Sequence, residues 1–256
     1  GETLWRRDRA TLYNDKKNGD PANSGDMRKA YSTPIFVPVG HTVQMISNGG
    51  KACWGYDVKT GKEIWRVLYP NHSPSSRCVY SESTGMVYIN TGLGKAEIWA
   101  IRLDPEMKGD VSKSHVVWTF LQRTPKRSSP VVVNDLLFFA NDGVISCVHA
   151  KTGKVLWAER AGGEYSASVL ATKERVYFFD EEGLATVVKA TGTFEVLAEN
   201  HLEAGFMASP AVSGNALILR TKTHLYRVAV ASELGLAAFD EPFDHDLAGL
   251  PFAHEP

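Results

Sequence analysis

The tetrapeptide Lys-Thr-Gly-Lys occurs twice, at 59–62 and 151–154, and both times a Trp follows four residues after the Gly, at Trp65 and Trp157. A weaker copy reads Ala190-Thr191-Gly192-Thr193, with Leu197 at the place of the Trp. Trp118 closes another copy whose turn is swollen by Asp104 to Asp110. The first six residues, Gly-Glu-Thr-Leu-Trp-Arg, match Gly61 to Arg66, so Trp5 belongs to the same series. Trp118 and Trp157 lie 39 positions apart, Trp157 and Leu197 lie 40 apart, and the pairs Ser129-Pro130 and Ser209-Pro210 lie 80 apart. A unit of about 40 residues cannot bury a core by itself, so such units must stack on one another.

Within each unit, short runs rich in Val, Ile, Phe and Tyr alternate with Gly- and Asn-rich turns, four runs to a unit. The class this predicts is all-β: a β-propeller of four-stranded antiparallel blades, with about five blade units present. The expected blades are 32–68, 76–121, 129–159, 168–199 and 209–230, with an isolated outer strand at 1–7. The repeats thus span 1–230, as part of a larger ring of seven or eight blades. Asp8 to Lys29 is read as a long loop, and 231–256, which leaves the pattern, as a loosely attached tail. The fifth unit lacks its outer strand. Residues Glu2 to Arg7 either supply that strand and close a ring of five, or are the end of a preceding blade. The second reading is preferred, because the motif's first half is absent and upstream sequence is expected.

A large flat apolar side chain at a fixed point of every outer strand suits blades that cover one another face to face. The Gly of each Thr-Gly turn accepts positive φ and fixes the register that aims the Trp. Trp5, Gly61, Trp65, Trp118, Gly153 and Trp157 are therefore expected to be structural docking residues, with a weaker contact where Leu197 replaces Trp.

A formal net charge of −1 gives no field to attract nucleic acid, and no apolar run is long enough to span a bilayer. Cys53, Cys78 and Cys147 fall in three different units without a Cys-x-x-Cys, which predicts buried free thiols rather than disulfides or zinc ligands. No pair of His has metal-ligand spacing, and no Gly-x-Ser-x-Gly elbow supports a hydrolase.

Tyr56-Asp57-Val58-Lys59-Thr60-Gly61-Lys62-Glu63-Ile64-Trp65 resembles the PQQ-type repeat, as does His149 to Trp157. Two groups carry such repeats. Quinoprotein dehydrogenases hold pyrroloquinoline quinone with Ca2+, between a Trp and often a pair of adjacent cysteines, beside a catalytic Asp. The non-catalytic group resembles the outer-membrane protein assembly factor BamB. No Cys-Cys is present here, and Asp142 and Asp180-Glu181-Glu182 read as solvated turn carboxylates. The resemblance therefore implies a non-catalytic scaffold that binds a protein or peptide, periplasmic or secreted, with no cofactor. A quinoprotein dehydrogenase fragment using the quinone and Ca2+, and the sensor propeller of a signalling protein, are the alternatives.

Strand alternation puts the loops between blades and the turns between second and third strands on one face, opposite the Thr-Gly turns. That loop face is the expected partner surface, with Arg28, Tyr69, His72, Arg77, Arg127, Tyr165 and Phe206 as candidate contacts.

Overall fold

A computed structural model describes residues 1–9, 16–17, 20–21, 25 and 27–229. The expected tail lies outside these residues, as does most of the Asp8 to Lys29 loop. The described part of that loop carries a two-residue antiparallel pairing of Lys16–Lys17 with Asp20–Pro21.

Five sheets follow in chain order. Blade 1 runs Ile35–Val39, Thr42–Asn48, Ala52–Asp57, Glu63–Leu68, and blade 2 Val79–Ser81, Met86–Asn90, Ile98–Arg102, Val116–Phe120. Blade 3 runs Val131–Val133, Leu136–Asn141, Val144–His149, Val155–Arg160, and blade 4 Leu170–Ala171, Arg175–Phe179, Leu184–Lys189, Val196–His201. Blade 5 has Ala211–Ser213, Ala216–Arg220 and Leu225–Val228. Neighbours within each blade are antiparallel. This is an all-β propeller of four-stranded blades, and its described strands do not close a ring. Among the described residues no strand pairs outside Leu225–Val228, and residues 1–9 form none.

Stacking explains why the second strands are apolar without alternation. In Leu136–Asn141, Leu137 and Phe139 pack with Met86, Tyr88 and Ala100 of blade 2. Leu136, Phe138 and Ala140 face the other way, onto Val176 and Phe178 of blade 4. Period two sends alternate side chains to opposite faces, and both faces are covered, so Leu136 to Ala140 are all apolar.

One irregularity recurs. Each of the first four blades shifts register once between its third and fourth strands, and the skipped residues are Ile64, Val117, Leu156 and Leu197. The residue just after the shift sits opposite a third-strand residue: Trp65 opposite Gly55, Trp118 opposite Ala100, Trp157 opposite Cys147. In blade 4 that place belongs to Ala198, opposite Val187. The expectation that Leu197 replaces Trp is thus corrected by one residue, because counting forty positions ignored a turn that is one residue longer. Val196–His201 is exposed throughout.

The Trp side chains reach across to the next blade. The Trp118 indole N–H donates to Ala150 O at 2.9 Å, and a Cβ on Gly153 would lie 2.8 Å from its ring. Trp5 repeats this contact on blade 1. Its N–H donates to Val58 O at 2.8 Å, and a Cβ on Gly61 would lie 2.4 Å from its ring. Trp157 meets the longer turn of blade 4 less closely, donating to Thr191 O at 3.3 Å and packing on Phe194.

Trp65 departs from the expected pattern, since blade 2 has no Thr-Gly turn to meet it. Its N–H donates instead to Gln44 Oε1 of its own blade at 2.8 Å. The swollen turn of blade 2 supplies the missing cover. Gly109–Asp110 pairs in parallel with Trp65 and Arg66, adding a fifth strand to blade 1. Val111 N–H donates to Arg66 O, and Met107 and Val111 bury themselves in the cluster that contains Trp65. His115 Nε2 meets Asp104 Oδ2 at 3.1 Å and closes the neck of the insertion.

Around the inside of the propeller, one Ser per blade ties each first strand to the next. Ser32 Oγ donates to Ser76 O, and Ser76 Oγ to Ser128 O. Arg77 N–H then donates to Ser129 Oγ, Ser129 N–H to Ser168 Oγ, and Ser168 N–H to Ser209 Oγ. The 80-residue spacing of Ser129 and Ser209 is the sequence trace of this ladder.

All three cysteines are free and buried. Burial pushes the Cys147 thiol up to about 12, and burial followed by the neighbouring Cys78 holds Cys53 well above its ordinary value. The thiolate is the reactive form. A thiol-reactive aromatic disulfide at neutral pH is therefore expected to titrate no thiol in the native protein and all three Cys of the sequence in denaturant. A thiol that labels rapidly under native conditions would contradict this packing.

Candidate functional site: the loop face and the channel

The loops between blades and the turns between second and third strands do lie side by side. Arg127 Nη1 meets Glu181 Oε1 at 3.3 Å, and Lys126 Nζ meets Asp142 Oδ1 at 2.8 Å. Glu181 N–H donates to Glu164 O and Ala161 N–H to Gly143 O. On the opposite face Lys151 pairs with Asp135, whose carboxyl is held below its usual range by the Ser83 hydroxyl and then by Lys151. Asp57 is lowered in the same way, by the Thr60 hydroxyl and backbone N–H inside the Thr-Gly turn.

The structure divides the seven expected contacts. Tyr69, Tyr165 and Phe206 are buried and present no face to a partner. Tyr69 turns its hydroxyl inward to Asn48 Oδ1, Gly49 O and Ala52 O, and its ring packs edge-on to Trp99. The Tyr165 hydroxyl donates to Ala161 O, and Phe206 packs edge-on to Phe179. An apolar residue in a polar loop reads the same whether it faces in or out, so sequence alone placed them wrongly. Arg28 and His72 are half-buried, and His72 Nδ1 lies 3.0 Å from Ser73 Oγ. Arg77 and Arg127 are exposed.

The acidic residues are also redistributed. Asp180 is 1% exposed and accepts N–H bonds from Glu182, Gly183 and Leu184 on one oxygen and from Gly163 on the other. It is the organiser of its turn rather than a solvated carboxylate, and four amide dipoles compensate its buried charge. Glu181 is taken by Arg127 and Ser166, and Asp142 by Lys126 and Asn141.

The insertion of blade 2 brings Ser114, His115 and Asp104 into line, with Ser114 Oγ 2.8 Å from Nδ1 and Asp104 Oδ2 3.1 Å from Nε2. The Ser–His half of this arrangement is a local turn geometry that recurs at His72–Ser73 and Thr223–His224. Among the described residues, no three His, Cys, Asp or Glu side chains are grouped to hold a metal ion.

The first strands and the loops before them line a cavity of about 500 Å3. Ile35, Phe36, Val131 and Val169 form apolar walls, and Arg77 lies at the edge with Ser129, Ser168 and Ser209.

A family profile described as outer membrane protein assembly factor BamB matches residues 96–195, which span the outer-strand Trp118, the Gly153 turn and Trp157. The crystal structure of BamB from Moraxella catarrhalis superimposes with a TM-score of 0.56 at 15% identity, over 72% of this chain and 53% of that one. The chain has the β-propeller fold, and its residues 96–195 resemble BamB. It spans about half the length of the BamB structure it matches. The computationally designed Ika8 protein gives a TM-score of 0.56 at 14% identity, over 75% of this chain and 56% of that one. The WD40 β-propeller domain of Doa1 gives 0.53 at 18% identity, over 75% and 61%. Likenesses at these identities show the fold. No curated protein sequence matches the chain.

The PQQ-like repeat raises the question of a quinone, and the outer-strand tryptophans and turn carboxylates singled out in the sequence are engaged within the fold. Trp65, Trp118 and Trp157 are in outer strands with their indole N–H groups engaged, and Trp5 lies on blade 1. The carboxylates singled out in the sequence are held by backbone amides or by basic side chains. No helix among the described residues is long and apolar enough to cross a membrane.

Proposed function

We propose that this propeller is a non-catalytic scaffold that binds a protein or peptide partner on its loop face, outside the cytoplasm, without a bound cofactor. The observation that carries this reading is how the polar and aromatic residues are used. Those with the look of chemistry (Trp118, Asp180, Tyr69, Tyr165) are engaged in holding blades and turns together. The groups left exposed on the loop face include Arg77 and Arg127 with the apolar Leu121 and Met207, a mixture suited to recognition. The likeness to an assembly factor supports a protein partner and an extracytoplasmic setting.

The reading predicts a sided contact. A photo-crosslinking amino acid at position 72 or 127, on the loop face, is expected to give a discrete protein adduct in cells that make the protein natively. The same probe at 59 or 151, on the Thr-Gly face, is expected to give none. Equal adducts from both faces, or none from either, would overturn it.

A further inference from the structure

The inner Ser ladder has a chemical consequence at its open end. Ser129, Ser168 and Ser209 each use the hydroxyl oxygen to accept a backbone N–H from the preceding blade. None of the three donates its own proton to another described residue, so each O–H remains available as a donor. All three line this cavity, together with Arg77. The Arg77 guanidinium has no hydrogen bond or ion pair to a described residue; only its backbone N–H is bonded. By contrast, the cations just outside, Lys126 and Arg127, are neutralised by Asp142 and Glu181. No Asp or Glu lines the cavity, and its walls include Phe36, Val131 and Val169.

We infer that the channel mouth is a carboxylate site, formed by the Arg77 guanidinium and the hydroxyls of Ser129, Ser168 and Ser209. Its occupant is the C-terminal carboxylate of an extended peptide with apolar final residues. One guanidinium and neutral hydroxyls match a single negative charge, and the planar fork of Arg matches a carboxylate bidentately. The cavity of about 500 Å3 has room for the last side chains of such a peptide against the apolar walls. The proposal rests on the partner-binding reading above for the peptide as source. It adds where the chain end goes.

Calorimetric titration with N-acetyl-Ala-Val-Phe as free acid, and with the same peptide as C-terminal amide, tests the site. The acid is expected to bind about tenfold or more tighter than the amide, since a charge-assisted bond is lost in the amide. Arg77→Gln is expected to abolish that preference without moving the thermal midpoint, because the guanidinium holds nothing else in place. Arg77→Lys is expected to keep only part of it, since the charge remains and the fork does not. Sodium acetate is expected to compete weakly and inorganic phosphate no better. Equal binding of acid and amide, absence of binding by both, or a preference that survives in Arg77→Gln would overturn the proposal. So would phosphate competing better than acetate, which marks a general oxyanion site, or acetate binding as tightly as the peptide, which marks a free small acid. Loop-face crosslinks that persist in Arg77→Gln, beside a failed titration, would remove the channel site and leave the scaffold reading standing.

Discussion

Replacing Trp65 by Ala is expected to cost about 3–5 kcal/mol of folding stability, the largest effect of any single side chain in the repeat. Trp65 is fully buried between blade 1 and the insertion of blade 2, among Val67, Ile101, Met107 and Val111. Its loss opens a cavity that strands cannot collapse to fill, and it leaves Gln44, itself buried, without the indole donor. Urea unfolding followed by intrinsic fluorescence reads the change. Trp65→Phe separates the two contributions, since most of the packing is kept and the Gln44 bond alone is lost, for about 1–3 kcal/mol. The double change Trp65→Phe with Gln44→Leu should recover part of that. Met107→Ala should couple to Trp65→Ala by more than about 0.5 kcal/mol, as contacting residues do. Additive effects would mean that the swollen turn does not substitute for the missing Thr-Gly contact.

The second large effect falls on a turn. Gly153 has φ 70°, and a Cβ there would meet Trp118 Cδ2 at 2.8 Å. Gly153→Ala is therefore expected to cost about 2–4 kcal/mol, from left-handed backbone strain and from displacing the indole together. Gly192, its counterpart in blade 4, does not take positive φ, and a Cβ there meets only Leu156 Cδ1 at 3.2 Å. Gly192→Ala is expected to stay within about 0.5 kcal/mol of the parent. Parallel thermal unfolding of the two variants separates them. In a Trp118→Leu background the penalty at Gly153 should shrink to the backbone part alone. Two glycines in nearly the same tetrapeptide would thus differ because only one lies beneath a tryptophan.

Much of this architecture is readable in the sequence, because strand, turn and Trp recur with one period. Runs such as Leu136–Asn141 and Val144–His149 announce themselves by length and by largely apolar residues without alternation. What the period could not show is local geometry. A turn lengthened by one residue in blade 4 moves the Trp place from Leu197 to Ala198. The polar segment 104–115 looked like a swollen turn, and only the parallel pairing of Gly109 with Trp65 reveals it as a strand of the neighbouring blade. The candidate surface was less legible. Tyr69, Tyr165 and Phe206 sit in polar loops yet point inward, since a loop over a propeller must also be anchored to it. Asp180 resembles any turn carboxylate until its four amide partners are seen. The Ser ladder left a trace in the spacing of Ser129 and Ser209, but its use as a link between blades needs the backbone partners.

On the proposed function, a repeat associated with quinone enzymes serves here as a scaffold alone. Titration of the purified protein with pyrroloquinoline quinone and Ca2+, read by quinone absorbance after gel filtration and by dye-linked alcohol oxidation, tests it most directly. The account predicts that the quinone separates from the protein and that no turnover occurs. Quinone co-eluting in a one-to-one ratio, or dye reduction that depends on added quinone and Ca2+, would contradict it.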